Sequence, residues 1–327
     1  MKKASLKKYL LFGLKAAVTG VLIWLLLVKV DFAELKRHVA SIKGVTVIYV
    51  LALLCAQSLL AGLRWRIVMA LFDRSLALAL TIRIYFEGMF FNQALPSTVG
   101  GDGIRIYRVF KLGLPFGAAF NGVLLDRVAG FISLIVLVAI AQPLLFQKIQ
   151  DFQVLMAFWF ITASGFIAII ILLAMASFPA KLSHWRAVRG LMKLSVGSRE
   201  VIRSPRRSIP VFGYSLIGHL MMVSAAYLIA LDIGIKVTLV DCFIIVPSVM
   251  LVATIPISIG GWGVRESAMV TAFGLLGAPA AEVAALSVAF GFCLMGVSLP
   301  GGILWFLNTD HHIAATAQVE NTQGRNS

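Results

Sequence analysis

Charge is scarce in this sequence, and negative charge is scarcest. Asp, Glu, Lys and Arg make up 13% of the 327 residues, with 14 acidic side chains against 29 basic ones. Soluble domains carry about 25% charged residues, so a soluble protein of this length is excluded. Cysteine is nearly absent: Cys55, Cys242 and Cys293 lie in apolar stretches, and no Cys-x-x-Cys occurs. No disulfide framework is indicated, and the three thiols read as packed core groups. The five His are scattered, with His311 and His312 in a polar tail and His219 in an apolar stretch. No His/Glu metal cluster, Gly-x-Ser-x-Gly elbow or Walker loop is present. A single-chain ATP-driven pump is thereby excluded, and neither metal nor cofactor is expected. No hydrophilic run is long enough to house a separate catalytic domain.

Apolar residues are what the chain has, at 60%, with a mean hydropathy of +0.95. Apolar runs fall near residues 10–28, 45–63, 116–140, 154–178, 209–231 and 281–307. About 20 apolar residues cross the hydrocarbon of a bilayer, so each run is expected to be a membrane-spanning helix. The first follows Lys2, Lys3, Lys7 and Lys8 but has no small-residue cleavage site after it, and reads as a retained signal-anchor. The net charge of +15 does not point to nucleic acid. The basic residues cluster in short loops between apolar runs, as the positive-inside rule expects, where anionic headgroups are the natural partners.

Two further apolar segments, 84–112 and 238–277, are interrupted by the same unusual motif. Residues 96–105 read PSTVGGDGIR and residues 256–265 read PISIGGWGVR, sharing Pro, Gly, Gly, Gly and Arg at a separation of 160. Proline and clustered glycine break a helix, and in lipid a broken helix survives only where protein or a wet cavity satisfies its backbone. Matching interruptions in two halves mark a transporter-type site at the repeat interface. The same offset of 160 maps the second span onto the fifth and the third onto the sixth, and loosely the first onto the fourth. The expected fold is all-α: a polytopic membrane domain over residues 1–307, with six full spans and two re-entrant broken hairpins, or eight spans if the broken segments cross. The halves, about 1–145 and 150–307, are expected to be inverted repeats, followed by a polar, disordered cytoplasmic tail at 308–327.

Loop charge sets the orientation. Residues 1–9 hold four Lys, 64–83 four Arg, 105–111 three Lys/Arg and 181–208 eight, whereas 141–153 and 232–240 hold one each. Placing the first group in the cytoplasm gives a consistent alternation with both termini inside. The loop at 29–43 dissents with four basic residues.

Ionisable groups in spans are costly and are functional candidates by default. Here they gather on and beside the broken hairpins. Glu87, Asn92, Asp102 and Arg105 belong to the first hairpin, Arg265 and Glu266 to the second, and Asn121, Asp126 and Arg127 to the helix after the first. Asp126 and Arg127 are adjacent, hence about 100° apart on a helix, so each needs a partner elsewhere. Glu87 shares a helix face with Arg83. Gly100, Gly101 and Gly103, like Gly260, Gly261 and Gly263, permit a tight turn whose N–H groups face an anion at a helix N-terminus. Arg105 and Arg265 follow within a turn, where a guanidinium grips phosphate bidentately. The substrate-binding set is therefore Arg105, Arg265, these six glycines and Asn92. Glu87, Asp102, Asp126, Arg127 and Glu266 are the counter-charge or coupling set. The competing view is that both Arg only hold the hairpins together.

At these residues the chain resembles the lysylphosphatidylglycerol synthase transmembrane region, a flippase-like family. The resemblance is carried by Asn92, Leu95-Pro96-Ser97, Gly100-Gly101-Asp102, Arg105, Asp126-Arg127 and, most specifically, Ile259 through Glu266. It implies a multi-helix inner-membrane domain that, in the two-domain lysyl-lipid proteins, moves the aminoacylated lipid across the bilayer; this chain is expected to be a stand-alone member without the synthase domain. The expected function is a flippase or transporter for a phospholipid or lipid-linked phosphate headgroup, not an enzyme. Partner enzymes of an envelope-lipid pathway are expected, and nucleic acid is not. The alternatives are a transferase acting on a lipid carrier, with Asp102 or Asp126 as its carboxylate, and a non-catalytic subunit of such a pathway.

Overall fold

The computed structural model describes residue 21 and residues 32–72, 76–95, 100–149, 151–177, 186–254 and 261–307. The expected first span, the tail, His311, His312 and residues 96–99 and 255–260, Gly260 included, lie outside the described residues. Among the described residues every regular element is helical, and five helices are long and apolar enough to cross a membrane.

In chain order the helices are α1 (Phe32–Ala40), α2 (Gly44–Met69), α3 (Leu78–Ala94), α4 (Gly100–Lys111), α5 (Phe116–Phe146) and α6 (Phe152–Ala174). They continue with α7 (Arg186–Arg203), α8 (Pro205–Ile233), α9 (Leu239–Ala253), α10 (Val264–Gly274) and α11 (Ala280–Phe306). The five spanning helices are α2, α5, α6, α8 and α11, the second to sixth apolar runs of the sequence. The outer helix α6 keeps Phe152, Phe160, Ile167 and Ile170 exposed, an apolar surface on the scale that marks a lipid-facing side.

The broken segments become two short helices each. With 12 residues in α4 and 11 in α10, these arms are roughly 17–18 Å long at about 1.5 Å per residue, too short to cross alone. The first segment turns back on itself. Asn92 Oδ1 accepts from the Gly101 N–H near the break, and farther out Glu87 Oε2 accepts from Arg108 Nε. It is a hairpin whose two arms lie alongside each other. In the second segment α9 and α10 likewise pack against each other.

The halves interlock. The backbone N–H of Lys43, before α2, donates to Asp232 near the end of α8, and Arg64 near the end of α2 donates to Ser215 near the start of α8. The two helices are counterparts in the repeat and run antiparallel, as inverted halves require. The exchange is reciprocal: α3 packs on α11, and its counterpart α9 packs on α5, the counterpart of α11. One region serving both partners in this crossed manner is the arrangement of a two-fold axis. At Gly301 the approach between halves is backbone to backbone, for a Cβ there would lie 1.9 Å from the Phe86 carbonyl oxygen. The largest apolar core is built mainly from α2, α5, α8, α9, α10 and α11, with Leu35 of α1 and Phe86 of α3 joining it.

Two expectations about loops change. Residues 181–208 were expected as a basic loop, and their described part holds the 18-residue helix α7, whose buried side carries Leu194, Ser195, Ser198 and Val201. Arg64, Arg105 and Arg108, counted above as loop charges, are buried. Helix α2 simply continues past residue 63 to Met69, carrying Arg64 into the interior. The dissenting segment at 29–43 ends beside Asp232, at the same end of the bundle where Lys148 meets Asp241 at 2.6 Å.

Candidate functional site

The first hairpin collects the charges that the apolar spans otherwise exclude. Asp126 on α5, 1% exposed, accepts from two guanidiniums at once: Arg64 Nε at 2.8 Å and Arg105 Nη2 at 2.8 Å. Asp102, in the first turn of α4, accepts from Arg127 at 2.9 Å and stands 3.4 Å from Arg105 Nη1. Asp126 and Arg127 thus face different partners, as their adjacency on a helix demands, and each finds one on the hairpin. Arg105 is sandwiched as well, with its guanidinium carbon 4.2 Å from the Trp65 ring centre and 4.8 Å from that of Tyr85. At these distances a desolvated guanidinium is held by the electron-rich ring faces.

Beside this cluster, Glu87 accepts from Arg108 Nε at 2.7 Å and from Arg83 Nε at 3.3 Å. Arg83 also donates to the Leu304 carbonyl at 3.0 Å, and Arg108 stacks at 4.4 Å on Trp305. The charged hairpin is thereby fastened to α11 of the other half.

A cavity of about 190 Å³ opens against the first cluster. Its wall takes Gln57 and Ser58 from α2, Asn92 and Gln93 from α3, Arg105 from α4, Arg127 from α5 and Ser298 from α11. Arg105 is only 3% exposed, and its Nε is buried without a hydrogen-bond partner. Arg127 keeps 37% of its side chain accessible. Arg64, Arg105 and Arg127 against Asp102 and Asp126, three positive and two negative, leave one positive charge in excess. Buried charge is costly unless compensated, so the arrangement favours an anion in the cavity. Gly101 and Gly88 make it possible by close backbone approach: a Cβ on Gly101 would lie 1.7 Å from the Gly88 carbonyl oxygen. Gly100 begins α4 beside Leu95, and Gly103 lies on the exposed side of the helix.

The second hairpin is built differently. Arg265 Nε and Nη2 both donate to Glu266 Oε1, at 3.1 and 2.5 Å, and Glu266 Oε2 accepts the Gly263 N–H at 2.6 Å. Glu266 therefore caps α10 and neutralises Arg265 together. Trp262 stacks on Arg265 at 4.8 Å, and Gly291 of α11 leaves room for it, since a Cβ there would lie 2.1 Å from Nη2. Gly261 and Gly263 take left-handed backbone at φ +80° and +83°. Arg265, Glu266, Gly261 and Gly263 are not among the residues lining the cavity. Asn121 is buried on α5, likewise outside its wall. His219 Nε2 lies 3.3 Å from the Gly130 carbonyl oxygen.

Sequence reasoning missed Arg64, Arg108, Trp65 and Tyr85. One signal was available. From residue 64 to 127 the chain uses seven Arg and one Lys as its basic residues, while residues 1–9 use four Lys and no Arg. Arg is the residue of buried, bidentate ion pairs and Lys of hydrated surfaces.

Fold and site together define an all-α polytopic membrane protein whose interlocked halves enclose a guanidinium-lined polar cavity. The model of a family described as the lysylphosphatidylglycerol synthase TM region matches residues 12–301, and the chain belongs to that family. It is also similar to a UPF0104 membrane protein of Methanothermobacter thermautotrophicus, 24% identical over 254 residues that cover 69% of this chain and 72% of that one.

Proposed function

We propose that this protein is a lipid flippase that moves a phosphate-bearing headgroup across the inner membrane through the cavity at Arg105 and Arg127. One observation carries the reading: a buried guanidinium with an unpartnered Nε lines a polar cavity that has a positive charge in excess. At about 190 Å³ the cavity is smaller than the ~300–1,000 Å³ of sites that enclose whole drug-sized ligands. It suits a headgroup whose acyl chains stay in the surrounding lipid. The location supports transport, because the wall is shared by the first hairpin and by α11 of the inverted half, the interface at which such halves alternate access. A transferase needs a carboxylate free to act, and Asp102 and Asp126 each already accept from two guanidiniums.

Purified protein in liposomes containing an acyl-labelled phospholipid tests this. Dithionite quenching of the inner-leaflet label is expected to be protein-dependent and to fall at least tenfold in Arg105→Gln, since a charge-assisted grip on phosphate is lost. Covalent change of the lipid points instead to the transferase, and neither movement nor change to an assembly subunit.

The orientation that goes with this function has both termini and α7 in the cytoplasm and the α5–α6 turn outside. Gln147 and Glu200 are exposed. A membrane-impermeant maleimide applied to intact cells is expected to modify Gln147→Cys and to spare Glu200→Cys; the reverse pattern ends this topology. Ser198, on the same helix, is unsuitable for such labelling because it is buried.

A further inference from the structure

We infer that the cavity selects an anionic headgroup that carries its charge on a phosphodiester together with hydroxyl groups, and rejects headgroups that carry an ammonium; this rests on the reading of the cavity as the headgroup site. The charge count comes first. Arg64, Arg105 and Arg127 exceed Asp102 and Asp126 by one, and beside them Glu87 stands between Arg83 and Arg108, so the site favours an anionic phosphodiester. Its oxygens only accept hydrogen bonds, and Arg105, whose guanidinium lines the cavity, carries a buried Nε donor without an acceptor.

An ammonium finds no counterpart. Near the cavity, Asp102, Asp126 and Glu87 each accept from two guanidiniums, leaving none of the three carboxylates for a ligand cation. A zwitterionic headgroup brings no net charge to offset the excess, and an aminoacylated phosphatidylglycerol adds to it. Like charge in a site of low effective dielectric is repelled far more strongly than in water.

The rest of the wall fits hydroxyls. Ser58 Oγ donates to the Leu54 carbonyl and Ser298 Oγ to the Met295 carbonyl, each at 2.7 Å, which leaves both oxygens as acceptors. Asn92 Oδ1 accepts the Gly101 N–H at 2.8 Å, which leaves its NH2 to donate. Gln57 and Gln93 add neutral amides. A hydroxyl, at once donor and acceptor, pairs with such a mixed neutral wall. The ligand class is a glycerol- or sugar-type phosphodiester lipid.

The full-length protein in neutral detergent is titrated with dioctanoyl phosphatidylglycerol, dioctanoyl phosphatidylethanolamine and dioctanoyl lysyl-phosphatidylglycerol, and the Kd of each is read by thermophoresis. Phosphatidylglycerol is expected to bind at least tenfold more tightly than either ammonium-bearing lipid. Gln93→Glu, which adds a carboxylate to the wall without touching the ion-paired cluster, is expected to reduce that ratio at least fivefold. Equal affinities for the three lipids, or a ratio that Gln93→Glu leaves unchanged, overturn the inference. The flippase reading is judged separately in vesicles: selective binding without movement ends that reading and sustains this one, while movement with equal binding does the opposite.

Discussion

Replacing Asp126 by asparagine is expected to destabilise the protein more than neutralising any other single carboxylate. Its two oxygens divide between Arg64 on α2 and Arg105 on α4, each at 2.8 Å, and all three side chains are at least nine-tenths buried. Arg64 continues to Ser215 on α8 at 3.0 Å. One carboxylate therefore ties the first hairpin to the antiparallel pair that joins the two halves. Removing its charge takes the closest acceptor from two buried guanidiniums, a change that costs about 3–5 kcal/mol for buried pairs. Asp102→Asn is the control. Its main partner, Arg127, keeps 37% of its side chain exposed, so solvent screens what is lost and the cost is expected to be at most half as large. Thermal unfolding in detergent reads both. A midpoint for Asp126→Asn that matches the wild type would show that the network is not what fixes the hairpin.

The sequence made the frame legible because the bilayer writes it in composition. Five of the six expected apolar runs are long helices, and both interruptions at the repeated motif are breaks between two short helices packed on each other. The hairpin form of the first broken segment required contacts, since Glu87 with Arg108 and Asn92 with Gly101 hold its two arms together. Much of the charge pairing was legible in outline: Asp126 and Arg127 had to look away from each other, and they do. Arg64 and Arg108 were not legible. Each sits at the margin of an apolar run, where a lone charge reads as the end of a span. What keeps Arg64 inside is a partner 62 residues away, a pairing that no local spacing reveals. Nor could the repeat reveal that its halves had diverged. The position after the Gly-Gly pair is Asp102 in one half, where it binds Arg127, and Trp262 in the other, where it covers Arg265. The same spacing of Pro, Gly and Arg thus makes an open, charged cavity wall once and a closed, neutral pair once.

That divergence shapes what the glycines are expected to do. Gly101→Ala should be severe although the backbone there is helical, because its Cβ would meet the Gly88 carbonyl oxygen at 1.7 Å and Asn92 Cγ at 2.8 Å. A backbone oxygen cannot rotate aside as a side-chain end can, so α3 and α4 would have to separate. Overpacking of this kind costs about 1–3 kcal/mol or more, and it would open the cavity wall at Arg105. Gly103→Ala, two residues on, meets nothing within 4 Å and should stabilise the helix by up to about 1 kcal/mol. In the second hairpin the constraint is conformational. Gly261 and Gly263 hold φ of +80° and +83°, where a residue with a Cβ is disfavoured by about 1–2 kcal/mol and a β-branched one by more. Gly261→Val is therefore expected to match Gly101→Val in lost lipid movement, one by strain and the other by collision. The pair of alanines separates the causes: Gly101→Ala should lower the thermal midpoint and abolish movement, while Gly103→Ala should leave movement intact and raise the midpoint. If Gly103→Ala proves as damaging as Gly101→Ala, the first turn depends on a glycine-only backbone, and close packing against Gly88 is not what the motif preserves.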